Sequence, residues 1–211
     1  MRTKWIAVLA IALIGLMALS APSALAASKF EVYANVGYAN VSTKLKPKGA
    51  DDIKITSPGL ALSAGARYWF SSAMGAGVML DRVQATFEYK DGGTKEKSEA
   101  STTGILATFS YRFMNTERAQ LLGTLGAGSF TAKVKNLFGA DEADETKGKS
   151  AFGYLAALEL RSALSERTNL TGQLGYRFVN FSKVERDGKE VPDLKLDSSA
   201  FSLGVGLSYA F

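Results

Sequence analysis

The sequence predicts an all-β chain: an eight-stranded antiparallel transmembrane β-barrel, wound as an up-and-down meander behind an N-terminal signal peptide. Three observations carry that prediction. First, apolar Phe201, Leu203, Val205, Leu207, Tyr209 and Phe211 alternate with small Ala200, Ser202, Gly204, Gly206, Ser208 and Ala210. Period two over that length is a strand with one greasy and one narrow face. A soluble sheet would cover the greasy face with a second layer, whereas in a membrane barrel lipid covers it. Second, the connections between the strand-like runs alternate strictly long and short. Third, the outward aromatics gather towards the two ends of the runs, as rings do at lipid–water boundaries.

At the N-terminus, Arg2 and Lys4 precede the apolar run Ile6 to Leu19, and Ser20, Pro22 and Ala24-Leu25-Ala26 form the small-residue pattern of a signal-peptidase site. The chain therefore divides into a cleaved signal peptide, residues 1–26, and a barrel domain, residues 27–211. Loss of Arg2 and Lys4 lowers the formal charge from +5 to +3, too small a balance to argue for nucleic acid.

The first run, Glu31 to Val41, sets Phe30, Val32, Ala34, Val36 and Tyr38 on one parity, and a polar stretch with Lys44, Lys46 and Lys48 follows it. The second, Gly59 to Phe70, places Leu60, Leu62, Ala64, Ala66, Tyr68 and Phe70 opposite Arg67 and Trp69, before a short turn at Ser71 to Met74. The third reaches Tyr89, and Lys90 to Glu99, with Asp91-Gly92-Gly93, reads as a hairpin loop. Run four is Ala100 to Phe113, ended by a turn at Met114 to Arg118; run five covers Ala119 to about Val134. A charged loop, Lys135 to Lys149, leads to the sixth run, with Phe152, Tyr154, Ala156, Leu158 and Leu160 on one face. Ser165 to Thr168 turns into the seventh, whose Leu170, Leu174, Tyr176 and Phe178 oppose Thr171, Gln173 and Arg177. The charged segment Lys183 to Asp197 precedes the eighth.

In an even-stranded barrel both termini are periplasmic, so the short turns are periplasmic and the long loops extracellular. Phe30, Tyr68, Phe70, Tyr111, Phe113, Tyr209 and Phe211 then form a periplasmic girdle. Tyr38, Phe87, Tyr89, Phe152, Tyr154, Phe178 and Phe201 form the extracellular one. One run breaks phase: Val78 and Leu80 share one parity, Val83, Ala85, Phe87 and Tyr89 the other. A bulge at Asp81-Arg82 would keep both halves facing lipid.

The signal peptide, the eight alternating runs, the unequal connections and the terminal Tyr209-Ala210-Phe211 resemble the small outer-membrane β-barrel proteins of Gram-negative bacteria. The opacity-protein-like and OmpX- or OmpW-like families are similar. The resemblance spans the chain after residue 26 and is architectural. It implies an integral multi-strand protein of the cell outer membrane, surrounded by outer-membrane lipids and lipopolysaccharide. It also implies that Phe201, Leu203, Val205, Leu207, Tyr209 and Phe211 are the assembly signal read by the barrel-assembly machinery during insertion.

The parities send Glu31, Arg67, Arg82, Glu88, Arg112, Glu159, Arg161 and Arg177 into the barrel as a polar network, with Gln84, Thr108, Thr171 and Gln173. Eight strands leave an interior just wide enough for side chains to fill, so these charges must pair. Glu159 is the natural anchor, with Arg177 or Arg82 as its partner. The chain has neither cysteine nor histidine, which removes thiolate chemistry, the commonest general base and the commonest metal ligand. The barrel enzymes that the resemblance brings in, lipid A deacylases and outer-membrane proteases among them, rely on histidine. No catalytic residue, cofactor or metal site is therefore expected. The acidic tip Asp141, Glu142, Asp144 and Glu145 lacks the spacing of a calcium loop and reads as solvated charge, and Leu137-Phe138 reads either as an adhesive contact or as a pair folded down onto the barrel rim.

The function expected is structural or surface-interactive: membrane integrity, or adhesion to host-surface molecules through the extracellular loops, by a monomer that binds no nucleic acid. One alternative is a small porin-like channel for ions or small apolar solutes, biased to anions by excess inward arginine. Another is a soluble periplasmic lipocalin-like barrel with the large apolar residues inside around a ligand.

Overall fold

The computed structural model describes residues 29–47, 53–91, 94–116, 118–135, 145–186, 189–191 and 194–211. The expected signal peptide, residues 1–26, and the loop tip 136–144 lie outside the described residues. Eight long strands make the wall: β1 (Phe30–Pro47), β2 (Ile53–Trp69), β3 (Met74–Asp91), β4 (Thr94–Asn115), β5 (Ala119–Lys135), β6 (Glu145–Ala163), β7 (Thr168–Phe181) and β10 (Leu194–Ala210). Between β7 and β10, β8 (Val184–Arg186) and β9 (Lys189–Glu190) form a small hairpin on the edge of β6. Every long strand pairs antiparallel with its chain neighbours, and β1 pairs with β10 to close the wall.

The register fixes the shape. One row of paired residues runs Tyr33, Gly65, Met79, Leu106, Gly128, Gly153, Val179, Ser198 and returns to β1 at Thr43, ten residues above its start. Strands in a closed barrel tilt in proportion to that stagger, and eight of them enclose an interior narrow enough for side chains to fill. Each short turn is held by a hydroxyl. Ser71 Oγ accepts from Met74 N at 2.8 Å, Ser165 Oγ accepts from Thr168 N at 3.1 Å, and Thr116 Oγ1 accepts from Ala119 N at 3.1 Å. Such side-chain turns fold locally and need no tertiary support.

The wall changes its dress halfway up. In the half nearest the short turns, apolar residues face out: Val36, Leu62, Val78, Leu80, Ile105 and Leu125 are exposed, Ile105 at 63% and Leu125 at 65%. In the half nearest the loops, apolar residues face in: Ala39, Val41, Val83, Ala85, Phe87 and Ala200 form one buried cluster. Phe130, Val179, Phe181, Val184 and Leu196 belong to a second. Their outward neighbours there are polar, among them Asn40, Gln84, Thr86, Thr131 and Asn180. A lipid-facing barrel ends, and a water-facing barrel with an apolar core continues it.

That inversion corrects the reading of β3. No bulge occurs at Asp81-Arg82; pairing with β2 and β4 runs through both residues without a shift. The register shifts lie instead between Arg112 and Met114 and between Phe130 and Ala132. The apolar parity of β3 changes because the strand leaves the apolar belt there, so Asp81 points inward while Arg82 and Gln84 point outward. Phe87 is inward and 7% exposed, and so does not belong to the girdle. The same boundary explains why the strands outrun the predicted runs at the loop end. Outward charges there meet water, so strand reads as loop from composition alone.

Candidate functional site: the barrel interior

The floor of the interior is an ion cluster. Glu31 from β1, Arg67 and Trp69 from β2, and Glu159 and Arg161 from β6 are all buried. Arg161 Nε donates to Glu159 Oε1 at 2.5 Å, Nη1 donates to Glu31 Oε2 at 2.6 Å, and Nη2 lies 2.6 Å from Glu31 Oε1. Arg67 reaches both acids more loosely, Glu31 at 3.4 Å and Glu159 at 3.5 Å, and donates from Nη2 to Thr124 Oγ1 at 3.4 Å. Each carboxylate thus faces two guanidiniums, which offsets the desolvation of four charges in a narrow space.

Aromatic rings seal the cluster. Trp69 Nε1 donates to Glu31 Oε2 at 3.1 Å, and the Arg67 guanidinium lies 4.8 Å from the Tyr33 ring centroid. Half-buried Arg112, at the short-turn mouth, stacks over Trp69 at 3.5 Å and donates from Nη1 to the Ser72 carbonyl at 3.0 Å. Such stacking suits a guanidinium, which is planar and weakly hydrated.

Above the floor, Thr171 Oγ1 donates to Asn35 Oδ1 at 2.6 Å, and Asn35 Nδ2 donates to Ser63 Oγ at 3.3 Å. Higher still, Arg177 Nη1 donates to Asp81 Oδ2 at 2.6 Å, and both side chains are buried. Beyond this pair the interior is mainly apolar, with the hydroxyls of Thr43, Thr102 and Ser198 buried among the apolar side chains. Phe130 lies fully buried against Gly104 and Gly153, and a Cβ at either glycine would collide with its ring. Close packing of this kind leaves little room. The gap bounded by Val41, Thr102, Val134, Arg177 and Leu196 holds about 10 Å³, one water at most.

Of the network expected from the sequence, Glu31, Arg67, Glu159 and Arg161 meet in one cluster, with Arg112 at its edge. Arg177 is inward but pairs with Asp81, not with Glu159. Arg82 and Gln84 are outward, and the expected Glu159–Arg82 pairing does not form, because β3 has no bulge to turn them in. Thr108 and Thr171 are buried, Gln173 is half-buried, and the Glu88 side chain lies outside the described residues. Asp81 is absent from the expected network because the bulge expected at Asp81-Arg82 gives it no inward position, whereas the regular strand turns it inward. With Arg82 outside and Asp81 inside, the buried Arg67, Arg161 and Arg177 are matched by Glu31, Asp81 and Glu159, and Arg112 at the short-turn mouth adds a further, half-buried positive charge. Charges inside and Ile105 and Leu125 outside also overturn the lipocalin-like alternative, which requires the reverse.

Comparison with solved structures places this wall among known barrels. It is similar to Neisserial surface protein A, with a TM-score of 0.55 and 16% identity over 86% of this chain and 97% of that one. OprG from Pseudomonas aeruginosa gives 0.53 and 16% identity, over 89% and 99%. The outer membrane protease OmpT from Escherichia coli gives 0.55 at 8% identity, over 87% and 97%. At such identities the likeness shows the fold alone. A search of curated proteins found no match to this chain. The family model described as the outer membrane protein beta-barrel domain matches residues 10–211. With its closed wall, apolar outer belt and aromatic rims, this chain belongs to that family of integral barrels of the Gram-negative outer membrane.

Proposed function

We infer that this protein is a closed, non-enzymatic barrel that acts through its extracellular surface, by supporting the membrane or by adhesion to host-surface molecules. One observation carries the reading: among the described residues, side chains fill the lumen. The Glu31–Arg67–Glu159–Arg161 cluster blocks the periplasmic half, and packed apolar side chains fill the extracellular half. In this reading residues 1–26 are removed, the last strand carries the assembly signal, and the mature barrel works as a monomer. The fold itself accommodates a protease in OmpT, so the non-enzymatic reading rests on residue content, above all the lack of histidine and cysteine. Among the described residues no group of three or more His, Cys, Asp or Glu could hold a metal.

A second reading is favoured by the apolar inner wall of the extracellular half, which suits a small apolar solute better than an ion. Planar-bilayer recording of the purified barrel separates the two. A sealed lumen gives no resolved conductance steps, and steps altered by Trp69→Ala or Arg177→Ala would overturn it. Entry of a small apolar dye into vesicles, raised by Phe130→Ala, would favour the second reading.

A further inference from the structure

Arg82, displaced from the lumen, stands on the outer wall at the edge of the lipid belt. Beneath it is a shallow depression of about 870 Å³, floored by Ala34 and Ala64, which face each other across β1 and β2. Leu62, Leu80, Val205 and Leu207 wall it, and Arg82 and Thr103 close its extracellular end. The depression runs across β10, β1, β2 and β3, three interstrand spacings of about 4.8 Å each, so more than one acyl chain can lie in it side by side. Along the same rim, β1, β6, β7 and β10 carry Tyr38, Tyr154, Phe178 and Phe201 outward. At this rim β3 and β4 carry Arg82 and Thr103 instead.

A cation on the lipid face is costly at midplane and nearly free at the interface. At the interface a guanidinium is a ready two-pronged donor to phosphate. Gln84, with its amide oxygen turned to the guanidinium, accepts from Arg82 Nε at 3.2 Å and Nη2 at 2.6 Å and so holds the fork in place. A second depression, about 580 Å³, is floored by Ala107, Ala127 and Ala156 and rimmed by Phe109, Tyr154, Tyr176 and Phe178. No charged residue lines it, so it serves as an internal control.

We propose that the Arg82 depression is a specific site for a phosphorylated, multiply acylated glycolipid of the outer leaflet, its phosphate on Arg82 and its acyl chains over Ala34 and Ala64. This rests on the outer-membrane location and not on whether the lumen conducts. The test is native mass spectrometry of the full barrel released from phosphatidylcholine nanodiscs doped with lipid A, with lipid A stripped of its phosphates, or with phosphatidylglycerol. Folded barrels are selected by their heat-modifiable gel shift. The wild type is expected to retain one lipid A, and neither stripped lipid A nor phosphatidylglycerol. Arg82→Gln and Ala64→Leu each cut retention at least tenfold, and Ala127→Leu, which fills the other depression, leaves it unchanged. Equal retention by the wild type and Arg82→Gln, or of stripped and intact lipid A, would overturn the site. Equal retention of phosphatidylglycerol would overturn the choice of a glycolipid.

Discussion

Glu159 has no water to fall back on: it is 1% exposed, and its ion-pair partners among the described residues are Arg161 and Arg67. Removing one member of such a cluster leaves charge without compensation, and breaking a buried pair typically costs about 3–5 kcal/mol. Glu159→Gln should therefore lower the unfolding free energy of the barrel in urea by about 3 kcal/mol. Glu159→Leu combined with Arg161→Leu should cost less than either single change, because the desolvation goes with the pair. A double variant that loses the sum of the two would refute the coupling. The inward parity of Glu159, Arg67 and Arg161 was legible from the sequence, because each lies within an unbroken alternating run. Their partners were not, since pairing across the lumen depends on the stagger between strands. Arg161 meets Glu31 from 130 positions away, a contact set by closure and by no local pattern.

Strand β3 shows what periodicity reports. Alternation marks which residues share a face, but apolar residues seek whichever face is dry, and the dry face changes sides where the strand leaves the bilayer. Val78 and Leu80 are 59% and 55% exposed, whereas Val83 and Ala85 are 3% and 5% exposed on the same regular strand. Cysteine scanning tests the boundary. In whole cells a membrane-impermeant maleimide should label Gln84→Cys rapidly, and leave Leu80→Cys (in lipid) and Val83→Cys (in the core) unlabelled. A Gln84→Cys that stays unlabelled would restore the bulge, which turns Gln84 inward. The eight runs and the three short turns were readable because their signals are local: period two, and Ser or Thr at each turn. The extracellular halves were under-read, since a strand with water outside and a thin core inside has the composition of a loop.

Closure of the whole wall falls on the pairing of β1 with β10, the only long-strand pair that joins the two ends of the chain. The other long strands each pair with the long strand next to them along the chain, so the seam bears the longest loop-closure cost. Phe211 sits on that seam: its N–H donates to the Phe30 carbonyl at 2.9 Å, and its ring lies 5.5 Å from Phe30 and 5.0 Å from Tyr209. These contacts are peripheral to a register of seventeen paired positions from Glu31↔Ala210 to Pro47↔Leu194, so their loss alone should cost the finished barrel little. An assembly signal makes a different demand, because it is read before the seam exists. Deleting Phe211 is thus expected to reduce heat-modifiable barrel in the outer membrane of cells severalfold, while spontaneous refolding of the same variant into phospholipid vesicles stays near the wild-type yield. If both assays fell together, Phe211 would act as a seam residue alone; if neither fell, the terminal aromatic would have no part in assembly.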